Sequence, residues 1–200
     1  MRWMVMVGLV FASTMGRSAL AQPPGAGDQT ILALEVQAQQ EVAVLGRFSA
    51  EHRVRLEALF EEARRKGLPT RPISDRLVDG KSRGKPEPEL VAEATGVVQR
   101  LETSSRALTH AGRERLDATE IALGASILDR GATSAQLESV IRTAPANRPL
   151  TVALDVVVRL ADRGLPIDAA LAQVSGKLVS KASDGQIRAL VTGQTASRGS

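Results

Sequence analysis

Two hundred residues carrying a formal charge of +4 and no cysteine exclude disulfide bracing, thiolate metal sites, thiol nucleophiles and a lipidated N-terminal cysteine. With no tyrosine, one tryptophan and three phenylalanines, the chain lacks the aromatic faces on which sugars and bases stack. The pI near 10.1 reflects a slight arginine excess with no Tyr or Cys to titrate, so nucleic acid is an unfavoured partner.

Arg2 followed by the apolar stretch Trp3 to Met15, then Ala19-Leu20-Ala21, has the order of a secretory signal peptide over residues 1–21 with cleavage after Ala21. The stretch is shorter than the ~20 residues that span a bilayer. An uncleaved anchor or a buried N-terminal helix is the alternative, and Arg17 lies awkwardly close to the cleavage position. The expected location is periplasmic or secreted. Loss of Arg2 and Arg17 would leave a mature chain at +2, with Phe48 and Phe60 as its aromatics and no transmembrane segment.

Residues 22–48 read as a leader of uncertain structure. Gln22 to Gly27 is a flexible Gly-Pro stretch, and Asp28 to Leu45 is compatible with strand or helix. The helical domain is expected over 49–193. Ser49 caps a helix reaching about Lys66, with Val54, Leu56, Leu59, Phe60 and Ala63 on one face, and Gly67-Leu68-Pro69 stops it. A short helix from near Pro72 to Asp79 buries Ile73, Leu77 and Val78, with Gly80 and Gly84 at its end. Pro86 and Pro88 open the strongest helix, whose stripe is Leu90, Val91, Ala94, Val97, Val98 and Leu101.

Asp117 with Glu120, and Thr133 with Gln136, have capping-box spacing ahead of Ile121 and Leu137. Leu150 to Ala161 keeps the helical period, although Val156 to Val158 would also suit a buried strand, and Gly164-Leu165-Pro166 closes it. Helices through Leu171 and Val174 and through Ile187 and Val191 follow, and residues 194–200 read as a flexible tail. The fold class is all-α: a compact helical bundle, or a short helix-turn-helix array, of about seven to eight short helices.

Gly67-Leu68-Pro69 matches Gly164-Leu165-Pro166 at an offset of 97, and Leu128 to Gly131 partly matches Ala161 to Gly164. Such matches point to an internal duplication, or to chance similarity among Ala-, Leu-, Gly- and Arg-rich helical turns. The segments Arg-Lys-Gly-Leu-Pro-Thr-Arg-Pro-Ile, Leu-Val-Asp-Gly-Lys-Ser-Arg-Gly-Lys-Pro-Glu and Ala-Asp-Arg-Gly-Leu-Pro recur as turn signals. Together with the signal peptide, they make the chain resemble small exported all-helical bacterial proteins of unassigned function with recurring Gly-Leu-Pro turns. That resemblance covers about Arg53 to Gly193; it implies a helical fold and carries over no active site.

No catalytic, cofactor-binding or metal-binding set emerges. The two histidines, His52 and His110, lack H-x3-H or H-E-x-x-H spacing, and neither G-x-S-x-G nor S-x-x-K supplies a usable site. No cofactor is expected. Charge is the local anomaly: Arg53 to Lys85 holds ten Lys/Arg against five acids. Arg64, Arg65, Lys66 and Lys81, Arg83, Lys85 flank the short second helix, about 15 Å apart, as a candidate patch for an anionic partner. Basic residues also simply favour helix C-termini.

The expected function is a non-catalytic protein-interaction module whose partner is another protein, met through an apolar groove, for instance beside Phe48 and Phe60. An envelope-associated binder of anionic surfaces acting through the basic patch is the alternative. A hydrolase is the third reading, and it requires a pocket that joins His52 or His110 to a serine or carboxylate.

Overall fold

The computed structural model describes residue 36 and residues 38–193; residues 1–21, expected above to be a signal peptide, the rest of the expected leader through residue 35, residue 37 and the expected tail 194–200 lie outside the described residues. The helices are α1 (residues 38–45), α2 (Ala50–Arg65), α3 (Arg71–Ser82), α4 (Glu87–His110), α5 (Ala118–Asp129), α6 (Ser134–Thr143), α7 (Thr151–Asp162), α8 (Ile167–Val179) and α9 (Asp184–Gly193). No strand occurs among the described residues. The all-α expectation holds, with one helix more than anticipated. The addition is α1, inside the stretch that sequence left between strand and helix. The strand alternative for the Val156 to Val158 segment is also overturned, because α7 runs through it.

Turn chemistry explains why the chain breaks where it does. At the end of α7, Gly164 has φ 87, and the Leu165 amide donates back to the Leu160 carbonyl at 3.1 Å, the closure of a Schellman motif. The same backbone bond closes α2, where Leu68 donates to Ala63, and α5, where Ala132 donates to Ile127. Each closure reverses the chain, and the residue after the turn glycine packs inward. The α8 turn makes the same bond with Lys181, at φ 54, in place of glycine. At the start of α6 the Thr133–Gln136 capping box is complete in both directions.

From α2 and from α5 onward, even- and odd-numbered helices form two layers. In one, α2 packs on α4, α4 on α6 and α6 on α8; in the other, α5 packs on α7 and α7 on α9. Contacts of α4 with α3 and α5, and of α7 with α8, join the layers. The apolar interior therefore runs between the layers, through Leu56, Phe60, Ile73, Leu77, Leu90, Leu101, Leu108, Leu137 and Leu154, all fully buried. The all-α, compact packing is as anticipated.

Helices α5, α7 and α9 begin at residues 118, 151 and 184, equal spacings of 33. The Gly131/Gly164 register thus aligns helices of one layer, whereas Gly67/Gly164 aligns the end of an even helix with the end of an odd one.

Three local expectations are corrected by the packing. Val54 and Val78 are 63% and 41% exposed, because the buried stripes run Leu56-Phe60-Ala63 on α2 and Ile73-Leu77-Gly80 on α3, turning both valines outward. Gly80 does not end its helix: it lies inside α3, where an added Cβ would come within 2.1 Å of Leu90 Cδ2 on α4. Asp117 caps α5 by accepting from the Thr119 and Glu120 amides, but Glu120 returns no bond to it and turns instead to Leu150.

Candidate functional site

His52 is brought to a serine and a carboxylate. Ser49, the residue before α2, places its Oγ 2.8 Å from His52 Nδ1 and donates its hydroxyl proton to Glu87 Oε2 at 2.7 Å. The Ser49 amide also donates to Glu87 Oε2 at 3.1 Å, and Lys81 Nζ donates to Glu87 Oε1 at 2.7 Å. With its proton given to Glu87, the serine can only accept from an Nδ1–H. A nucleophile needs the opposite polarity, with a base taking the hydroxyl proton. The Lys81 ammonium and the hydroxyl and amide of Ser49 hold the Glu87 carboxyl down to about 2, which makes it a poor base. Neither Ser49, His52 nor Glu87 lines either of the two clefts described below. The cluster is suited to tying the α1–α2 junction to the α3–α4 turn. Lys81 adds to this by resting 4.3 Å from the ring centroid of buried Phe48.

His110 lies elsewhere, at the end of α4, with its Nδ1 3.6 Å from Glu138 and its side chain 65% exposed. Among the described residues no group of three His, Asp or Glu is placed to hold a metal ion.

Five of the six basic residues of the sequence patch face carboxylates. Arg64 pairs with Glu41 and Glu61, Lys66 with Glu62 and Glu102, Lys81 with Glu87, Arg83 with Asp79, and Lys85 with Glu89 and Glu93. Among the described residues Arg65 makes no ion pair, and it acts on Glu62 only at longer range. Hydrogen bonds to Glu102 and Glu62 raise the Lys66 ammonium, and those to Glu93 and Glu89 raise that of Lys85. Glu41, Glu87, Glu89, Glu93 and Glu102 all lie outside the Arg53–Lys85 window, so the local excess of positive charge is largely offset by residues distant or downstream in sequence.

Phe48 and Phe60 are 6% and 1% exposed and line neither of two clefts. Open concave surface lies on either side of α3. One cleft, of about 560 Å³, runs between α1 and α3 and is lined by Gln40, Val44, Arg47 and Ser74 among others. The larger, of about 880 Å³, separates α3 from α5 over a floor formed by α4.

The length of α4 produces the larger cleft. At 24 residues it is about twice as long as α6 or α8, which have 10 and 13. Helix α3 meets it where Gly80 covers Leu90, and α5 meets it where Gly124 covers Ser104. Those points are fourteen residues apart, about 21 Å along the axis. Packed helices lie about 8–10 Å apart, so α3 and α5 cannot close on one another as α5 and α7 do. Val97, midway between the two crossings, forms part of the floor, and Pro69, Pro72, Ala118, Ala122 and Leu123 supply further apolar wall.

Charge in this cleft is carried by four arginines, Arg71, Arg76, Arg83 and Arg100, against Asp75, Asp79 and Asp129. Asp129 is shared: Arg76 donates to its Oδ2 at 2.8 Å from α3, and Arg100 lies 3.0 Å from its Oδ1 from α4. The sequence signal for this site was the continuation of the α4 stripe beyond Leu101 through Ser104, Ala107 and Leu108. No pattern in sequence links Arg76, Arg100 and Asp129. Comparison of the chain with protein-family models, with curated proteins and with solved structures finds no match.

Proposed function

We propose that this is an exported, non-catalytic interaction module that receives an acidic segment of a partner protein in the α3–α5 cleft. The observation that carries the reading is the separation of α3 from α5 along α4, which leaves an open, partly apolar cleft on a layer that is otherwise packed. Small side chains on α5 keep its wall accessible, and the excess of one guanidinium over the aspartates favours a partner bearing carboxylates. Export rests on the order Arg2, apolar stretch, Ala19-Leu20-Ala21. The equal 33-residue spacing of α5, α7 and α9 supports an origin of the array by duplication of a helix-turn-helix unit.

The test fills the cleft without touching the interior. Ala122→Trp places an indole in the groove, and Arg159→Ala, on the outer side of α7, serves as control. Random peptides displayed against the mature protein are expected to enrich on wild type and on Arg159→Ala and to be lost on Ala122→Trp. Enrichment that survives Ala122→Trp, or no enrichment at all, overturns the reading.

Binding of anionic surfaces through the basic patch is the weaker alternative, because carboxylates pair with five of its six residues.

A further inference from the structure

Arg76 and Arg100 share one carboxylate but differ in how they are held. Arg100 lies back along its own helix over Gly96, where an added Cβ would stand 3.3 Å from its Nη1. The glycine gives the guanidinium a seat on α4, directed at Asp129 Oδ1. Arg76 crosses from the opposite wall of the cleft to the other oxygen, Oδ2. The three side chains are each about one-third exposed, at 36% for Arg76, 31% for Arg100 and 35% for Asp129. Removing one partner of an ion pair is costly when it leaves the other charge unpaired. Here that cost is reduced, since Asp129 keeps Arg100 if Arg76 leaves.

Resting on the cleft reading above, we infer that Arg76 is the carboxylate receptor of the α3–α5 cleft, exchanging its internal partner Asp129 for a carboxylate of the incoming peptide while Arg100 retains Asp129. A guanidinium presents parallel N–H donors matched to the two oxygens of a carboxylate, so the exchange trades one charge-assisted contact for another of the same kind. Position supports the assignment. Arg71 and Arg83 lie toward the ends of α3 and pair with aspartates of their own helix, Asp75 and Asp79, whereas Arg76 reaches across the cleft. A ligand lying between α3 and α5 must therefore meet the Arg76 side chain.

The carboxylate could come from an Asp or Glu side chain or from a chain terminus, and three probes separate these sources. They are acetyl-Ala-Ala-Glu-Leu-Ala-Ala-amide, the same peptide with Gln for Glu, and the Gln peptide with a free C-terminal acid. Each is titrated into the mature protein while the arginine Nε–H and backbone amide resonances are followed. A saturable shift of the Arg76 Nε–H with a carboxylate-bearing peptide, and none with the neutral one, is expected, with Arg100 Nε–H unchanged. Arg76→Lys, which keeps the charge but loses the fork, should weaken binding about tenfold with an unchanged melting temperature.

If the Ala122 and Leu123 amides respond to the carboxylate peptides while Arg76 does not, the receptor assignment falls and the cleft reading stands; if all three peptides act alike, the receptor assignment and the preference for acidic segments fall, and the cleft remains a peptide site. If no residue lining the cleft responds to any probe, both fall.

Discussion

Glu120 of α5 accepts the backbone N–H of Leu150, the residue that opens α7, at 2.5 Å. Glu120 is 6% exposed, and Leu150 has no side-chain cap of its own, so a carboxylate from the preceding helix of the same layer serves the N-terminus of the next. Beside it, buried Arg113 donates from Nη1 to the carbonyls of Ala146 and Arg148, both at 2.7 Å, holding the loop that leads into α7. Burial lowers the Arg113 guanidinium, and the Glu120 charge opposes that shift. Truncating Glu120 should leave a buried amide unpaired. Glu120→Ala is expected to cost about 2 kcal/mol, measured as a lower urea midpoint at constant m, and Glu120→Gln about half as much because it keeps an acceptor. Equal stability of Glu120→Ala and wild type would show that this bond does not hold α7.

Ser104 Oγ is fully buried, without a hydrogen-bond partner among the described residues, directly beneath Gly124. Ser104→Ala is therefore expected to be neutral or mildly stabilising, since it removes an unpaired hydroxyl. Gly124→Ala would bring a Cβ to 2.1 Å from that oxygen and should destabilise by about 1–3 kcal/mol. In the double variant part of the loss should return. Strict additivity in the double-mutant cycle would mean that the two residues do not meet as described.

Lys181 occupies the left-handed turn position that glycine fills at the end of α7. An L-residue with a side chain is strained there. Lys181→Gly should raise stability by about 0.5–1 kcal/mol, visible in thermal or urea unfolding, and Gly164→Ala should lower it by a similar amount. A loss on Lys181→Gly would show that the Lys side chain contributes more than the strain removes.

The acid limb of the stability profile should depend on Glu87. Its folded-state pKa, about 2, lies below the ordinary carboxylate value of 4.5, so the contribution is complete above the unfolded-state value and is lost as pH falls from about 4.5 through 2. Circular dichroism melts across that range should show wild type losing stability more steeply than Glu87→Gln. Lys66 and Lys85 act in the opposite direction. Their raised values give stability that is present at neutral pH and is lost as pH rises past 10.5 through the folded-state values. Parallel acid profiles for wild type and Glu87→Gln would remove Glu87 from this role.

The secondary structure was legible because its signals are local. Gly67, Gly131 and Gly164 with their following apolar residues, and the pair Thr133 and Gln136, act through backbone bonds spanning a few residues. Sequence was misled where a neighbour decides. Gly80 looks like a terminator until Leu90 is seen to need its missing side chain, and Val54 joins an apolar run but not the face that α4 covers. The basic patch failed to stay positive for the same reason, since Glu41, Glu87 and Glu102 arrive from other helices.

What the sequence by itself determined is the all-helical class, the turn positions and an interior of aliphatic side chains, since 3.6-residue periodicity and capping are properties of short segments. Tertiary structure decided the two-layer order, the joining of Ser49, His52 and Glu87, and the cleft in which Arg76 and Arg100 share Asp129. These depend on where helices cross. The crossing of α3 and α5 over α4 is set by which small residues, Gly80 and Gly124, admit close approach, a complementarity of surfaces that no local pattern encodes.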